Sequence, residues 1–128
     1  AAASDQRWPG RLALVAEDNE DVRQIMRRQL MELGFSVVEA ESGDEALSLV
    51  DQIEGLHLVI SDIVMPGISG VDLARRITAV RPEIAVILIS GFSFEGSEDR
   101  SDLVVLSKQW EKQDLIAAIG RSGPAIRS

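Results

Sequence analysis

The chain has no cysteine and no tyrosine, a single histidine, and 4% aromatic residues. Without cysteine there is no disulfide and no thiolate metal site, so packing must hold the fold, which suits a reducing compartment. Positive charge is scarce: 13 Lys and Arg against 21 Asp and Glu give a formal net charge of −8. That balance disfavours nucleic acid as a direct partner, because binding a phosphate backbone takes clustered cations. The short basic groups Arg27-Arg28 and Arg75-Arg76 have acidic neighbours. No apolar run approaches the roughly 20 residues that cross a bilayer, and the N-terminus has no signal-peptide core. The expectation is a soluble, cytoplasmic domain with no membrane contact.

What is present is enough for one domain. A chain of 128 residues buries roughly two-thirds of the surface it exposes when unfolded. Residues 1–11 (AAASDQRWPGR) are small and polar with a Pro-Gly break and read as a tail or linker, with Trp8 the one residue suited to docking. Residues 12–121 carry the folded pattern and 122–128 read as a second tail. Five short apolar runs (12–16, 35–38, 58–61, 85–90 and 103–106) are mostly continuous, as parallel strands covered on both faces require.

Helical patterns separate these runs. The first opens on Asn19 as N-cap, has Val22, Ile25, Met26, Leu30 and Leu33 as its inward stripe, and ends at Gly34. The second starts with a capping box, Ser42 with Glu45, and buries Ala46, Leu47, Val50 and Ile53. A third covers 70–81 with Leu73, Ile77 and Val80 inward, stopped by Pro82. The last covers 111–120 with Leu115, Ile116 and Ile119 inward. Such alternation predicts a doubly wound α/β sheet with right-handed crossovers. Between Gly91 and Asp102 the helical stripe is missing, so a fourth crossover helix there is expected to be shortened or disordered.

Chemistry collects at the strand ends. Glu17 and Asp18 follow the first run, Asp62 the third, Ser90 the fourth, and Lys108 the fifth. In an open parallel sheet the carboxyl ends of the strands form the rim where ligands bind. Three acids there suit Mg²⁺, which takes a few carboxylates, a carbonyl and retained waters. In the absence of a metal the acids raise one another's proton affinity. The Asp62 carboxylate, before the turn Met65-Pro66-Gly67, could attack an activated phosphorus. Lys108 could then offset charge on the phosphoryl oxygens and Ser90 could hydrogen-bond one of them. His57, before a strand, reads as an ordinary loop residue, and Trp110 as an anchor for the last helix.

In that order, VAEDNEDVR, SDIVMPGISGVDL, VILISG and LSKQW resemble the motifs of response regulator receiver domains over about residues 11–120. Their wording is most similar to receivers attached to hybrid sensor histidine kinases. The resemblance implies a flavodoxin-like, five-stranded parallel sheet of order 2-1-3-4-5. It implies Asp62 as phosphoacceptor, Glu17, Asp18, Asp62 and the Val64 carbonyl as Mg²⁺ ligands, Ser90 as switch hydroxyl and Lys108 as the family's lysine. It also implies a histidine kinase or histidine phosphotransfer protein as donor, and no turnover beyond the domain's own phosphorylation and dephosphorylation. The oligomeric state is left open.

The chain departs from the family's pattern in three respects. Gln109 stands where proline usually follows the lysine, so a trans bond and a somewhat displaced Lys108 are expected. Val105 is too small for the usual aromatic switch, which shifts signalling onto the 92–101 segment. Val64 and Phe92, two residues beyond Asp62 and Ser90, cannot orient an attacking water, so self-dephosphorylation should be slow. Gln109, Val105 and the short fourth crossover keep a pseudo-receiver, a constitutive interaction module of the same fold, as the alternative. A flavodoxin-like cofactor binder is disfavoured because EDNED is acidic where a phosphate-bearing cofactor needs amides and hydroxyls.

Overall fold

The computed structural model describes residues 7–91 and 103–122. Five parallel strands, β1 (Leu12–Ala16), β2 (Ser36–Ala40), β3 (Leu58–Asp62), β4 (Ala85–Ser90) and β5 (Val104–Ser107), pair in the order β2-β1-β3-β4-β5. Helices α1 (Glu20–Glu32), α2 (Gly43–Gln52), α3 (Gly70–Val80) and α4 (Lys112–Arg121) connect or follow them. The sheet order is the expected one. The expected shortened helix between 91 and 102 lies outside the described residues, apart from Gly91, as does Phe92.

Alternation along each strand divides the core into two layers. Ala13 and Val15 join Met26, Leu30, Leu115 and Ile119 beneath α1 and α4. Leu14 and Ala16 join Ala46, Val50, Leu73 and Ile77 beneath α2 and α3. Helices on both faces explain why the strand sequences run apolar without interruption. Among the described residues no helix is long and apolar enough to cross a membrane.

Each helix begins on the residue that its sequence marks. Asn19 accepts from the Val22 N–H, Ser42 from Glu45 and Ser69 from Asp72. Glu111 and Asp114 form a reciprocal capping box on α4. On α2 the returning carboxylate departs from the expected box, since Glu45 accepts from the Glu41 N–H, not from that of Ser42. The α1 terminus accounts for the late start of β2. Gly34 (φ 109°) lets its own N–H reach Met31 O and the Phe35 N–H reach Leu30 O, the Schellman pattern. Phe35 therefore belongs to the helix stop, and the strand begins at Ser36. Two residues expected to face inward do not: Ile25 is 48% exposed and Val80 73%. Ile25 lies on the flank of a stripe whose buried centre is Met26, Leu30 and Leu33, and Val80 is the last residue of α3.

Trp8 docks. Its ring lies 5.8 Å from that of Phe35, and its N–H donates to Leu33 O at 2.9 Å. At the end of the sheet away from the rim, His57 Nδ1 accepts from the Leu12 N–H at 3.1 Å. Burial, with the Arg11 charge nearby, holds this imidazole below the ordinary histidine range. Arg81 closes the end of α2 by donating from Nη1 to Val50 O and Ile53 O, at 2.9 and 2.8 Å.

Candidate functional site

The rim residues are placed by backbone hydrogen bonds that extend the sheet past its last regular pair. Glu17 N–H continues the β1–β2 ladder to Ala40 O, Ile63 N–H continues β3–β4 to Ile89 O, and Lys108 N–H continues β4–β5 to Ser90 O. Glu17 and Asp62 thus stand level at the sheet's rim, and Lys108 follows the end of β5 two residues beyond that level. A cavity of about 360 Å³ opens there, lined by Asp18, Asp62, Ile63, Val64, Ser90, Gly91 and Lys108.

Glu17, Asp18 and Asp62 each offer a carboxylate oxygen, and these atoms lie within 4.8 Å of one another. Asp62 is 3% exposed, and its Oδ2 receives Lys108 Nζ at 2.8 Å. The Lys108–Gln109 peptide is trans, and the displacement expected from Gln109 does not keep the ammonium from Asp62. Asp62 Oδ1 accepts from the Val64 N–H at 3.3 Å, closing the first step of the following turn. Val64 itself is 66% exposed at the cavity mouth. Ser90, at the end of β4, is buried and lines the same cavity.

Glu17 differs from the other two acids in being buried completely. Its Oε2 accepts from the Asn19 N–H at 2.9 Å. Among the described residues, Oε1 is the buried side-chain oxygen with no hydrogen-bond partner. The nearest cation, Lys108 Nζ, is 3.7 Å from it and closer to Asp62. Burial therefore pushes the Glu17 carboxyl up, to about 7. The Asn19 amide works against this, the Asp62 charge and the Asp18 carboxyl add to it, and Lys108 offsets part. Lys108 moves in its own right: burial disfavours its charge, but the bond to Asp62 and the charges of Asp62, Glu17 and Asp18 outweigh that and raise its pKa. An orphaned carboxylate oxygen with two further acids beside it is a donor set that fits a hard divalent cation, and the Lys108 ammonium stands next to it on Asp62.

One contributor was not read from the sequence. Arg23 donates from Nη1 to Glu17 O and from Nε to Glu39 Oε1, both at 2.9 Å, so α1 and β2 together fix the peptide that joins Glu17 and Asp18. Its placement at i+4 from Asn19, on the helix that the acids precede, was the available signal. Trp110, read as an anchor, packs against the core and donates from Nε1 to Gln29 Oε1.

The family model for the response regulator receiver domain matches residues 13–120. The response regulator receiver protein CpdR of Brucella abortus (strain 2308) is 34% identical over 110 residues, covering 83% of this chain and 91% of that protein. The sensor kinase CckA of the same strain is 38% identical over 81 residues, 62% of this chain but 9% of the kinase. Among solved structures, the response regulator TrrA of Thermotoga maritima, in complex with Mg²⁺-BeF, superposes with a TM-score of 0.78 at 27% identity. That alignment covers 87% of this chain and 97% of TrrA.

Proposed function

The chain belongs to the response regulator receiver domain family of two-component signalling, and from that premise we propose that it is a phosphorylation switch with Asp62 as phosphoacceptor. The observation that carries the reading is the pairing of Asp62 with Lys108 at 2.8 Å, directly beside an unpartnered oxygen of Glu17. An Asp62 oxygen attacks the phosphorus of a phosphohistidine on a histidine kinase or phosphotransfer protein. The new O–P bond forms as the P–N bond breaks, and the imidazole leaves with its electron pair. Lys108, which must release part of its hold on Asp62, is placed to bind a phosphoryl oxygen, and the Ser90 hydroxyl to donate to another. Glu17, Asp18, Asp62 and the Val64 carbonyl would hold Mg²⁺. When bound, the ion supplies charge neutralisation on the transferring phosphoryl group. The complex of TrrA with Mg²⁺-BeF supports this assignment for a relative.

The test is intact mass after incubation with Mg²⁺ and a small acyl phosphate. Wild type is expected to gain one phosphoryl group and Asp62→Asn none. Equal gain in both would move the site elsewhere. If neither gains from the acyl phosphate or from a phosphohistidine donor, the constitutive interaction module becomes the better reading.

The exposed Val64 at the cavity mouth has no group to hold a water in line with the phosphorus. The phosphorylated form is therefore expected to be long-lived, and Val64→Asn should shorten its half-life by about tenfold, since a positioned polar group is worth at least that in hydrolysis. Following the loss of the phosphorylated mass with time checks this, and equal half-lives would remove the argument.

A further inference from the structure

The connection between β5 and α4 carries Lys108 on a backbone that no proline stiffens. Its local tie is modest: Gln109 N–H donates to the Ser107 hydroxyl at 3.1 Å. Two side chains, Trp110 from this connection and Lys112 from the first position of α4, reach α1. Trp110 Nε1 donates to Gln29 Oε1 at 2.6 Å, and Lys112 Nζ pairs with Glu32 Oε1 at 2.9 Å. Gln29 and Glu32 are three residues apart and so share one helix face. The two ties are unequal. The lysine and glutamate side chains are 32% and 44% exposed, and such an ion pair contributes little. The indole–amide bond is partly buried, and the ring behind it packs into the core layer of α1 and α4.

We propose that Trp110 and Gln29 are positioning residues for Lys108: their hydrogen bond holds the connection against α1 so that the ammonium stays on Asp62. The inference rests on the phosphoacceptor reading above. A lysine ammonium sits at the end of a flexible four-carbon stem, so its placement depends on where its backbone starts. That start is fixed on one side by the Lys108 N–H to Ser90 O at 2.8 Å and on the other by Trp110, two residues on. Helix α1 also carries Arg23, which fixes Glu17. The acid side and the lysine side of the cavity are thus referenced to one rigid element.

Gln29→Met keeps the side chain's length with only a weak thioether acceptor in place of the carbonyl, Gln29→Glu keeps an oxygen acceptor, and Trp110→Phe keeps a ring without the donor. The readouts are the rate of phosphoryl gain from a small acyl phosphate at saturating Mg²⁺, and Mg²⁺ affinity measured separately by calorimetry. Gln29→Met and Trp110→Phe are expected to slow the rate about tenfold, within the cost of a small misplacement, with Mg²⁺ affinity kept within about twofold and Gln29→Glu near wild type. In a Lys108→Met background, Gln29→Met should change the rate by less than about twofold, because both act through one group. A Gln29→Met rate equal to wild type, or an undiminished loss in the Lys108→Met background, overturns the positioning role while the phosphoacceptor reading stands. Absence of phosphorylation in wild type itself overturns both. Should Trp110→Phe fail to fold, the Gln29 pair decides alone.

Discussion

Replacing Glu17 by glutamine is expected to make the metal-free protein more stable and to remove its response to Mg²⁺. Glu17 is wholly buried, with one oxygen on the Asn19 N–H and the other without a hydrogen-bond partner. Lys108 cannot serve both acids, and it sits 2.8 Å from Asp62 against 3.7 Å from Glu17. A glutamine carbonyl can still accept from Asn19, while its amide presents donors to the acids nearby. Relief of an unsatisfied buried group of this kind is worth about 1–3 kcal/mol.

The pH dependence follows from the direction of the shift. The folded carboxyl titrates at about 7, above its ordinary 4.5. Between those values the folded state holds a proton that the unfolded state has lost, so the group's contribution to stability falls as pH rises through that window. The advantage of Glu17→Gln should thus be fully expressed near pH 8 and shrink toward pH 5. Mg²⁺ acts in the opposite sense: bound to the folded state alone, it stabilises by about 2.7 kcal/mol at a hundredfold excess over its dissociation constant. Urea unfolding with chelator and with Mg²⁺, for both proteins, measures all of this. A Glu17→Gln variant that is less stable in chelator, or that gains as much from Mg²⁺ as wild type, would sink the idea that the orphaned oxygen is reserved for the ion.

The acids, the lysine and the serine could be located from sequence because each follows a short apolar run, and a parallel sheet brings the ends of its strands to one edge. Apolar runs and capping residues also place β1 and β4 to the residue and α1, α3 and α4 to within one. What they do not carry is how side chains divide their partners. Nothing local distinguishes Glu17 from Asp18, yet one is buried with an orphaned oxygen and the other is exposed at the cavity. The apolar stripe on α1 likewise has a direction but no width, which is why Ile25 reads as inward and yet lies on the surface. Phe35 looked like strand because it is apolar beside valines, but the glycine before it turned its N–H back to Leu30. The ties that fix the site span long separations: Trp110 to Gln29 crosses 81 positions, and Arg23 to Glu39 crosses 16 between elements whose register only the fold defines.

The largest loss of stability from a single methyl group is expected at Gly70. This residue opens α3 and donates its N–H to Ile63 O at 2.8 Å, folding the loop after β3 back over the Asp62–Ile63 peptide. A Cβ there would overlap the Asp62 carbonyl oxygen and come within 2.8 Å of Ile63 Cα and 2.9 Å of Asp62 C. All three are backbone atoms at the end of the central strand, so no rotamer change can make room. Either α3 moves away from the sheet or the peptide carrying Asp62 rotates. Overpacking of this kind costs about 3 kcal/mol or more where the neighbours cannot yield.

The two routes of relief have different chemical consequences. If α3 moves, Leu73 and Ile77 lose packing but the acids stay in place. If the Asp62 peptide rotates, its carboxylate leaves Lys108 and phosphorylation falls with stability. The hydrogen bond from Gly70 N–H to Ile63 O ties the helix start to the residue that follows Asp62, which favours the second route. Gly70→Ala is therefore expected to lower the unfolding midpoint and, under conditions where it remains folded, to slow phosphorylation by at least about tenfold, as displacement of the attacking group requires. Gly120→Ala is the control. It lies inside α4 with nothing within 4 Å of an added Cβ, so the same methyl should raise stability by about 0.5–1 kcal/mol. A Gly70→Ala protein that unfolds with wild type would mean that the close approach to Asp62 is not what requires glycine there.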